Sequence, residues 1–316
     1  MAVTSVIPSV ADPGPAAGSV GPSRRGGRRR KLTDNLVGWA FLFGAVLCFG
    51  IFSWFPMIRE VIMSFQRTRR GVTTWVGWAN YERLWHDPAF GAAWRNSLEF
   101  TLLALLLGYA LPFVVAIVLN EFRHAQGYLR ALVYLPVILP PAAGLFLFKY
   151  LYRPDQSGLL NNILHAVGLP QSQWVQSIPM TMPSLVLAST WLNMGGTTLI
   201  YLAALQNIPG ELYEAAELEG ASVLRRVWHV TIPQTRLVLS LMFLLQIVAT
   251  MQFFIEPLIL AGGNGVEDHA TGLVYLMYQH GFKQNDLNGA AALGVMLMLV
   301  LIVFSALYVW LNPKQD

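Results

Sequence analysis

The chain has 316 residues, 55% of them apolar and only 12% charged, with a mean hydropathy of +0.49, so it carries too few charges to coat a water-soluble globule. Its net charge of +4, from 21 Lys and Arg against 17 Asp and Glu, gathers largely in one N-terminal cluster, which points to membrane topology and away from nucleic-acid binding. The single cysteine, Cys48, excludes an internal disulfide framework and any multi-cysteine metal site.

Residues 1–31 are rich in Pro, Ala, Gly and Ser and end in a basic cluster running from Arg24 to Lys31. That composition buries nothing and predicts a disordered basic cytoplasmic tail, followed by a six-helix transmembrane domain over 32–316. A spanning helix needs roughly 20 mainly apolar residues, and the windows 36–63, 97–120, 131–152, 183–205, 237–261 and 289–312 satisfy this. An even number of spans puts both termini on one side. The polybasic tail makes that side cytoplasmic, because positive charge in short flanking segments is retained inside. The connections 67–96, 153–182 and 262–288 then lie outside, and 121–130 and 206–236 inside. Trp54, Trp75, Trp78, Trp85 and Trp94 flank the first two spans, where indole rings anchor at the interface. Pro112, Pro136, Pro140 and Pro141 interrupt the second and third spans and free carbonyls that need protein neighbours. The expected fold class is an all-α membrane protein.

The connection 206–236 carries the most information. Pro209 suits a helix start, with Glu211 and Glu214 near its positive end. Gly220 can take the left-handed conformation that stops this helix, Ser222 can cap a second one, and Pro233 limits that one in turn. Two short helices joined at Gly220 are therefore expected. Residues 209–219 hold four glutamates and no basic residue, so anionic lipid would repel a helix that a basic protein partner would attract.

The pattern Glu214-Ala215-Ala216, Gly220-Ala221 and Thr231-Ile232-Pro233 resembles the conserved cytoplasmic loop of permease subunits in bacterial binding-protein-dependent ABC importers. Glu219 stands where that family usually has Asp, and Val230 where it often has Ile. The resemblance extends over most of 36–312 and is nearest the sugar-permease branch, of maltose and glycerol-phosphate type. Supporting phrases are Val76-Gly77-Trp78-Ala79-Asn80-Tyr81, Leu202-Ala203-Ala204-Leu205-Gln206 and Gly262-Gly263, although Asn264 replaces the proline that commonly follows the glycine pair. It implies a type I ABC importer permease fold in the bacterial plasma membrane. It also implies that 209–233 is a coupling helix docked on a cytoplasmic ATPase, with Glu214, Ala215, Ala216, Gly220, Ala221, Ile232 and Pro233 as docking residues. The implied partners are two ATPase subunits that bind ATP and Mg, an extracytoplasmic binding protein and a second permease. The chain itself is expected to hold no cofactor or metal, and to bind no nucleic acid.

Polar groups inside spans cost free energy unless they pair or face an aqueous path. Asn193, Gln246, Thr250, Gln252 and Glu256 are the candidates, with Tyr275 and Tyr278 before the last span. Gln246 and Thr250, and Gln252 and Glu256, are four residues apart, so each pair would share a helix face. Amides and a carboxylate beside Phe253 and Phe254 suit a sugar, and a negative Glu256 argues against a phosphorylated substrate. Interhelical hydrogen bonding is the alternative role for these groups. No phosphate-binding loop and no catalytic motif of the H-E-x-x-H or G-x-S-x-G type occurs, so the chain is expected not to be an enzyme. Import of glycerol 3-phosphate or another small polar solute, a proton-coupled secondary transporter using Glu256, and an enzyme acting on lipid-linked sugars remain as alternative functions.

Overall fold

The computed structural model describes residues 27–122, 126–155 and 157–312. The chain divides into two units, one ending at Met57 and one running from Ile58 onward. In the first, an α-helix over Gly27–Phe49 continues through a π turn at Gly50–Trp54. The helix begins inside the segment expected to lack structure; residues 1–26 of that tail lie outside the described residues.

Among the described residues, five helices are long and apolar enough to cross a membrane: α1 (Val37–Ser64), α2 (Pro88–Glu121), α5 (Ile178–Gln206), α7 (Val223–Thr250) and α9 (Leu287–Leu311). The third expected span is instead a broken pair, α3 (Gly127–Ile138) and α4 (Pro141–Leu151), bent by 95°. Consecutive prolines explain the break. Pro140 takes an extended conformation (φ −54°, ψ 130°), and Pro141 opens α4 in the first turn, where its missing N–H costs nothing.

The fifth span also differs from its expected bounds. It starts at Val223 and ends at Thr250, and α8 (Ile255–Leu260) follows as a separate short helix. The second short helix expected after Gly220 is therefore the first turn of α7, and Pro233 does not stop it. A π turn at Val227–Thr231 lies just before Pro233. Similar π turns precede Pro56, at Gly50–Trp54, and Pro112, at Leu105–Tyr109. In each case the carbonyl four residues before the proline, on Phe52, Gly108 or His229, falls inside the π turn. Proline cannot donate to that carbonyl and its ring crowds it, and a widened turn relieves both.

The core of the second unit is organised on α5. Half of its apolar window is buried (50%), against 28% or less for the other spans. On one side of it Phe100, Leu145, Phe148, Met182, Leu185 and Phe253 form a cluster; toward the other end Ala116, Tyr201, Leu202, Leu205 and Met242 form another. Gly195 permits a close approach of two backbones: a Cβ there would lie 2.4 Å from the Val133 carbonyl oxygen of α3. A third cluster, including Leu84, Phe90, Met251, Leu273 and Leu293, joins α2 and α9 to the connecting segments. One of these segments holds a hairpin absent from the sequence expectation, with β1 (Gln66–Arg69) antiparallel to β2 (Val72–Trp75). Its two-residue turn has positive φ at Arg70 (49°) and Gly71 (80°), the conformation that matches the natural strand twist.

Candidate functional site: a polar cavity and a projecting loop

A cavity of about 530 Å³ opens between α2, α5, α7 and the start of α8. All five polar residues expected to line a substrate path, Asn193, Gln246, Thr250, Gln252 and Glu256, border it. The break after Thr250 is what brings them together. Pro257 has no N–H for the Phe253 carbonyl, so the helix restarts at Ile255 and the intervening residues turn around the cavity. Gln252 and Glu256 consequently do not share a helix face as expected; they reach the same space from either side of a break.

Each polar side chain is already anchored. Gln246 donates from Nε2 to the Ala104 carbonyl at 3.4 Å, and Gly108 of α2 leaves room for it, since a Cβ there would lie 2.7 Å from that nitrogen. Thr250 Oγ1 donates to the Gln246 carbonyl at 2.7 Å, Gln252 Nε2 to the Val248 carbonyl at 2.8 Å, and Asn193 Nδ2 to the Ser189 carbonyl at 2.8 Å. The amide oxygens of Asn193 and Gln252 stay free to accept, on exposed side chains. Ser189 Oγ donates to Glu256 Oε1 at 2.7 Å. Phe253, on the cavity wall, stacks on Phe100 with ring centroids 4.1 Å apart and planes 4° from parallel. Glu256 is the only ionisable residue among those that line the space.

Ser189 and Thr197 were not singled out from sequence, though both border the cavity. The spacing 189, 193, 197 on α5 is a four-residue polar repeat inside an apolar helix and was the available signal. Tyr275 and Tyr278 do not line the cavity. They pack behind Phe254, with centroids 6.2 and 5.5 Å away, and Tyr275 is fully buried. Lys283 donates to the Tyr275 hydroxyl at 2.9 Å, which holds the ammonium pKa above its ordinary value.

The second feature is the loop between α5 and α7. α6 (Gly210–Leu218) follows Pro209 and ends at Gly220, whose φ is +76°. There the Ala221 N–H donates to the Ala216 carbonyl and the Gly220 N–H to the Glu217 carbonyl, both at 2.9 Å, which is a Schellman close. Ser222 stands at the N-cap of α7, but its side chain makes no capping bond. The loop is fixed to α7 by Tyr213, whose hydroxyl lies 3.0 Å from Thr231 Oγ1, and by Arg226, 3.4 Å from Glu217. Glu214, Ala215 and Gly220 are exposed, Ala216, Ala221 and Ile232 half-buried, and Pro233 is exposed. Three large apolar side chains also stand out from this segment: Leu218 is 90% exposed, Leu224 69% and Trp228 62%.

These elements define a multi-pass membrane protein with a polar cavity among its spans and, between α5 and α7, a two-part loop whose side chains are largely exposed. Residues 101–316 match the family described as "Binding-protein-dependent transport system inner membrane component", and the chain belongs to that family. The arabinooligosaccharides transport system permease protein AraP of Bacillus subtilis is 32% identical over 84% of this chain and 85% of its own length. The lactose transport system permease protein LacF of Rhizobium radiobacter is 28% identical, over 85% and 92%. The crystal structure of a bacterial ABC transporter that imports the acidic polysaccharide alginate contains a chain of the same fold: TM-score 0.79, 22% identity, 91% of this chain and 98% of that one. The fold is thus that of a type I ABC importer permease.

Proposed function

We propose that this chain is the membrane-spanning subunit of an ATP-driven importer that carries an uncharged sugar, mono-, di- or oligosaccharide, through the cavity bordered by Asn193, Gln246, Thr250, Gln252 and Glu256. The observation that carries the reading is the composition of that cavity. It offers amide, hydroxyl and carboxyl groups beside aromatic rings and contains no Lys, Arg or His. Sugar hydroxyls hydrogen-bond to such groups and sugar C–H faces rest on rings, whereas a phosphate or carboxylate would find no cation to pair with. Relatives named for arabinooligosaccharide and lactose transport support the same substrate class.

An extracytoplasmic binding protein delivers the sugar, and two cytoplasmic ATPase subunits, which bind the ATP and Mg, dock on 209–233. The acidic face of α6, with Glu211, Glu214 and Glu217, and the exposed Leu218, Leu224 and Trp228 give that docking both charge and apolar area. Because α7 is continuous from Val223 to Thr250, a displacement of the loop is delivered along one helix to Gln246 and Thr250 in the cavity wall. A second, non-identical permease subunit completes the route. Both termini lie in the cytoplasm under this arrangement, and the chain has no catalytic site of its own.

The test is uptake of radiolabelled neutral oligosaccharides by cells with and without an intact copy of this chain, before and after ATP depletion. Loss of uptake on deletion and on ATP depletion is expected. Uptake that survives ATP depletion but collapses with the proton gradient would overturn the reading.

A further inference from the structure

Glu256 combines three properties. It is 7% exposed, it borders the cavity, and its two carboxyl oxygens are treated differently. Oε1 accepts the Ser189 hydroxyl at 2.7 Å, while Oε2 is buried and has no hydrogen-bond partner among the described residues. A buried acceptor left unpaired is costly and calls for a partner, and of the buried unpaired side-chain atoms this is the one that belongs to a residue of the cavity lining. Among the described residues no Lys, Arg or His borders the cavity to neutralise the group, so its lining offers it no ion pair. The last torsion of a glutamate is soft and the Ser189 hydroxyl can follow the carboxyl through a small rotation, so Oε2 can be turned toward the cavity that Glu256 borders without loss of the Ser189 bond. The amide N–H groups of Asn193, Gln246 and Gln252 donate within their own helices or to α2, and the free amide oxygens of Asn193 and Gln252 sit on exposed side chains, so Oε2 is the buried acceptor of the cavity lining that lacks a partner.

We infer that Oε2 of Glu256 is the docking acceptor for a hydroxyl of the transported sugar, with Ser189 as the positioning residue that holds the carboxyl. This rests on the reading of the cavity as the sugar route. The role is to hold the sugar in the cavity while the subunits change state, so it bears on sugar delivered per ATP hydrolysed more than on ATP hydrolysis itself.

The experiment uses the complete importer, with its binding protein, in proteoliposomes, and the neutral oligosaccharide that supports the fastest uptake as probe. Sugar transported and ATP hydrolysed are measured together for wild type, Glu256→Gln and Glu256→Ala. Separately, Asn193→Cys in a Cys48→Ser background is treated with a small thiol reagent. Blocking of transport by the reagent, with sugar per ATP lowered about threefold in the Gln variant and about tenfold in the Ala variant, is the expected result; a charge-assisted bond is worth roughly twice a neutral one. If the reagent blocks transport but both Glu256 variants keep the wild-type ratio, the docking role is wrong and the sugar route stands. If the Gln variant loses transport and ATP hydrolysis in equal measure, Glu256 supports the fold and the docking role is wrong. A reagent without effect on transport by a labelled Asn193→Cys chain overturns the route and the docking role together.

Discussion

Arg83 and Asp286, 203 positions apart in the chain, meet at 2.7 Å between Nη2 and Oδ2. Asp286 is also the N-cap of α9, accepting from the Gly289 N–H at 3.0 Å, and its Oδ2 lies 3.2 Å from Nδ1 of the buried His280. One carboxyl thus ties the helix Ala79–Trp85, the segment before the last span and the first turn of that span.

The His280 bond above all, then the Gly289 N–H and Arg83, hold the Asp286 carboxyl well below the usual carboxylate range, against the opposing effect of its burial. A group whose folded pKa is depressed contributes stability that is fully present above its unfolded value, about 3.9, declines below that, and is lost only as pH falls through the depressed folded value. Asp286→Asn should therefore melt about 2–4 °C below wild type at pH 7, the shift roughly one lost interaction gives in a chain of this size, and the gap should begin to narrow below about pH 4 and stay partly open at pH 3. A gap that does not change with pH would contradict the assignment. Asp286→Ala should cost more than Asp286→Asn, because it removes the helix cap as well.

Gly195 should be sensitive to alanine and its neighbour Gly196 should not. At Gly195 the new Cβ meets the Val133 carbonyl, whereas at Gly196 it meets nothing within 4 Å. Gly195→Ala should destabilise the permease by about 1–3 kcal/mol as α3 is pushed off α5. Gly196→Ala should lie within about 0.5 kcal/mol of wild type. Thermal melting of the two variants in the same detergent decides it.

Gly220 has open space around it but a φ of +76°, so the penalty there is conformational and not steric crowding. A β-branched residue pays about 1–2 kcal/mol or more for that backbone, and asparagine much less. Gly220→Val should reach the membrane yet lose transport and binding-protein-stimulated ATP hydrolysis; Gly220→Asn should keep most of both. Normal activity of the Val variant would remove the docking role from this loop.

Asn193 donates only within its own helix and is exposed to the cavity. Asn193→Leu should therefore leave assembly and basal ATP hydrolysis intact while lowering sugar transport severalfold, about what one lost hydrogen bond gives. Equal loss of membrane protein level and transport would mark it as a packing residue instead.

The spans and the loop were legible in the sequence because hydropathy over about 20 residues and the Gly220 turn are local signals. The cavity residues were legible for a related reason: Asn193, Gln246, Thr250, Gln252 and Glu256 are costly where they stand unless they face something polar. What was not legible is how helices end. Pro140 and Pro141 break a span and Pro257 restarts one, yet Pro56, Pro112 and Pro233 are absorbed by π turns inside continuous helices. The same residue type gives both outcomes, and the choice is made by packing. The Arg70-Gly71 hairpin was missed because arginine is not a usual first turn residue, and the Arg83–Asp286 contact because nothing local links positions so far apart.

The central claim is that this chain works as one subunit of an ATP-driven importer, and the most direct measurement is mass spectrometry of what co-purifies with a tagged chain, expressed from its own chromosomal locus and extracted in mild detergent. An ATPase and a second permease in stoichiometric amounts are the expected result, with the ATPase alone lost when Gly220→Val disrupts the loop. A correctly folded chain that is recovered reproducibly by itself would contradict it.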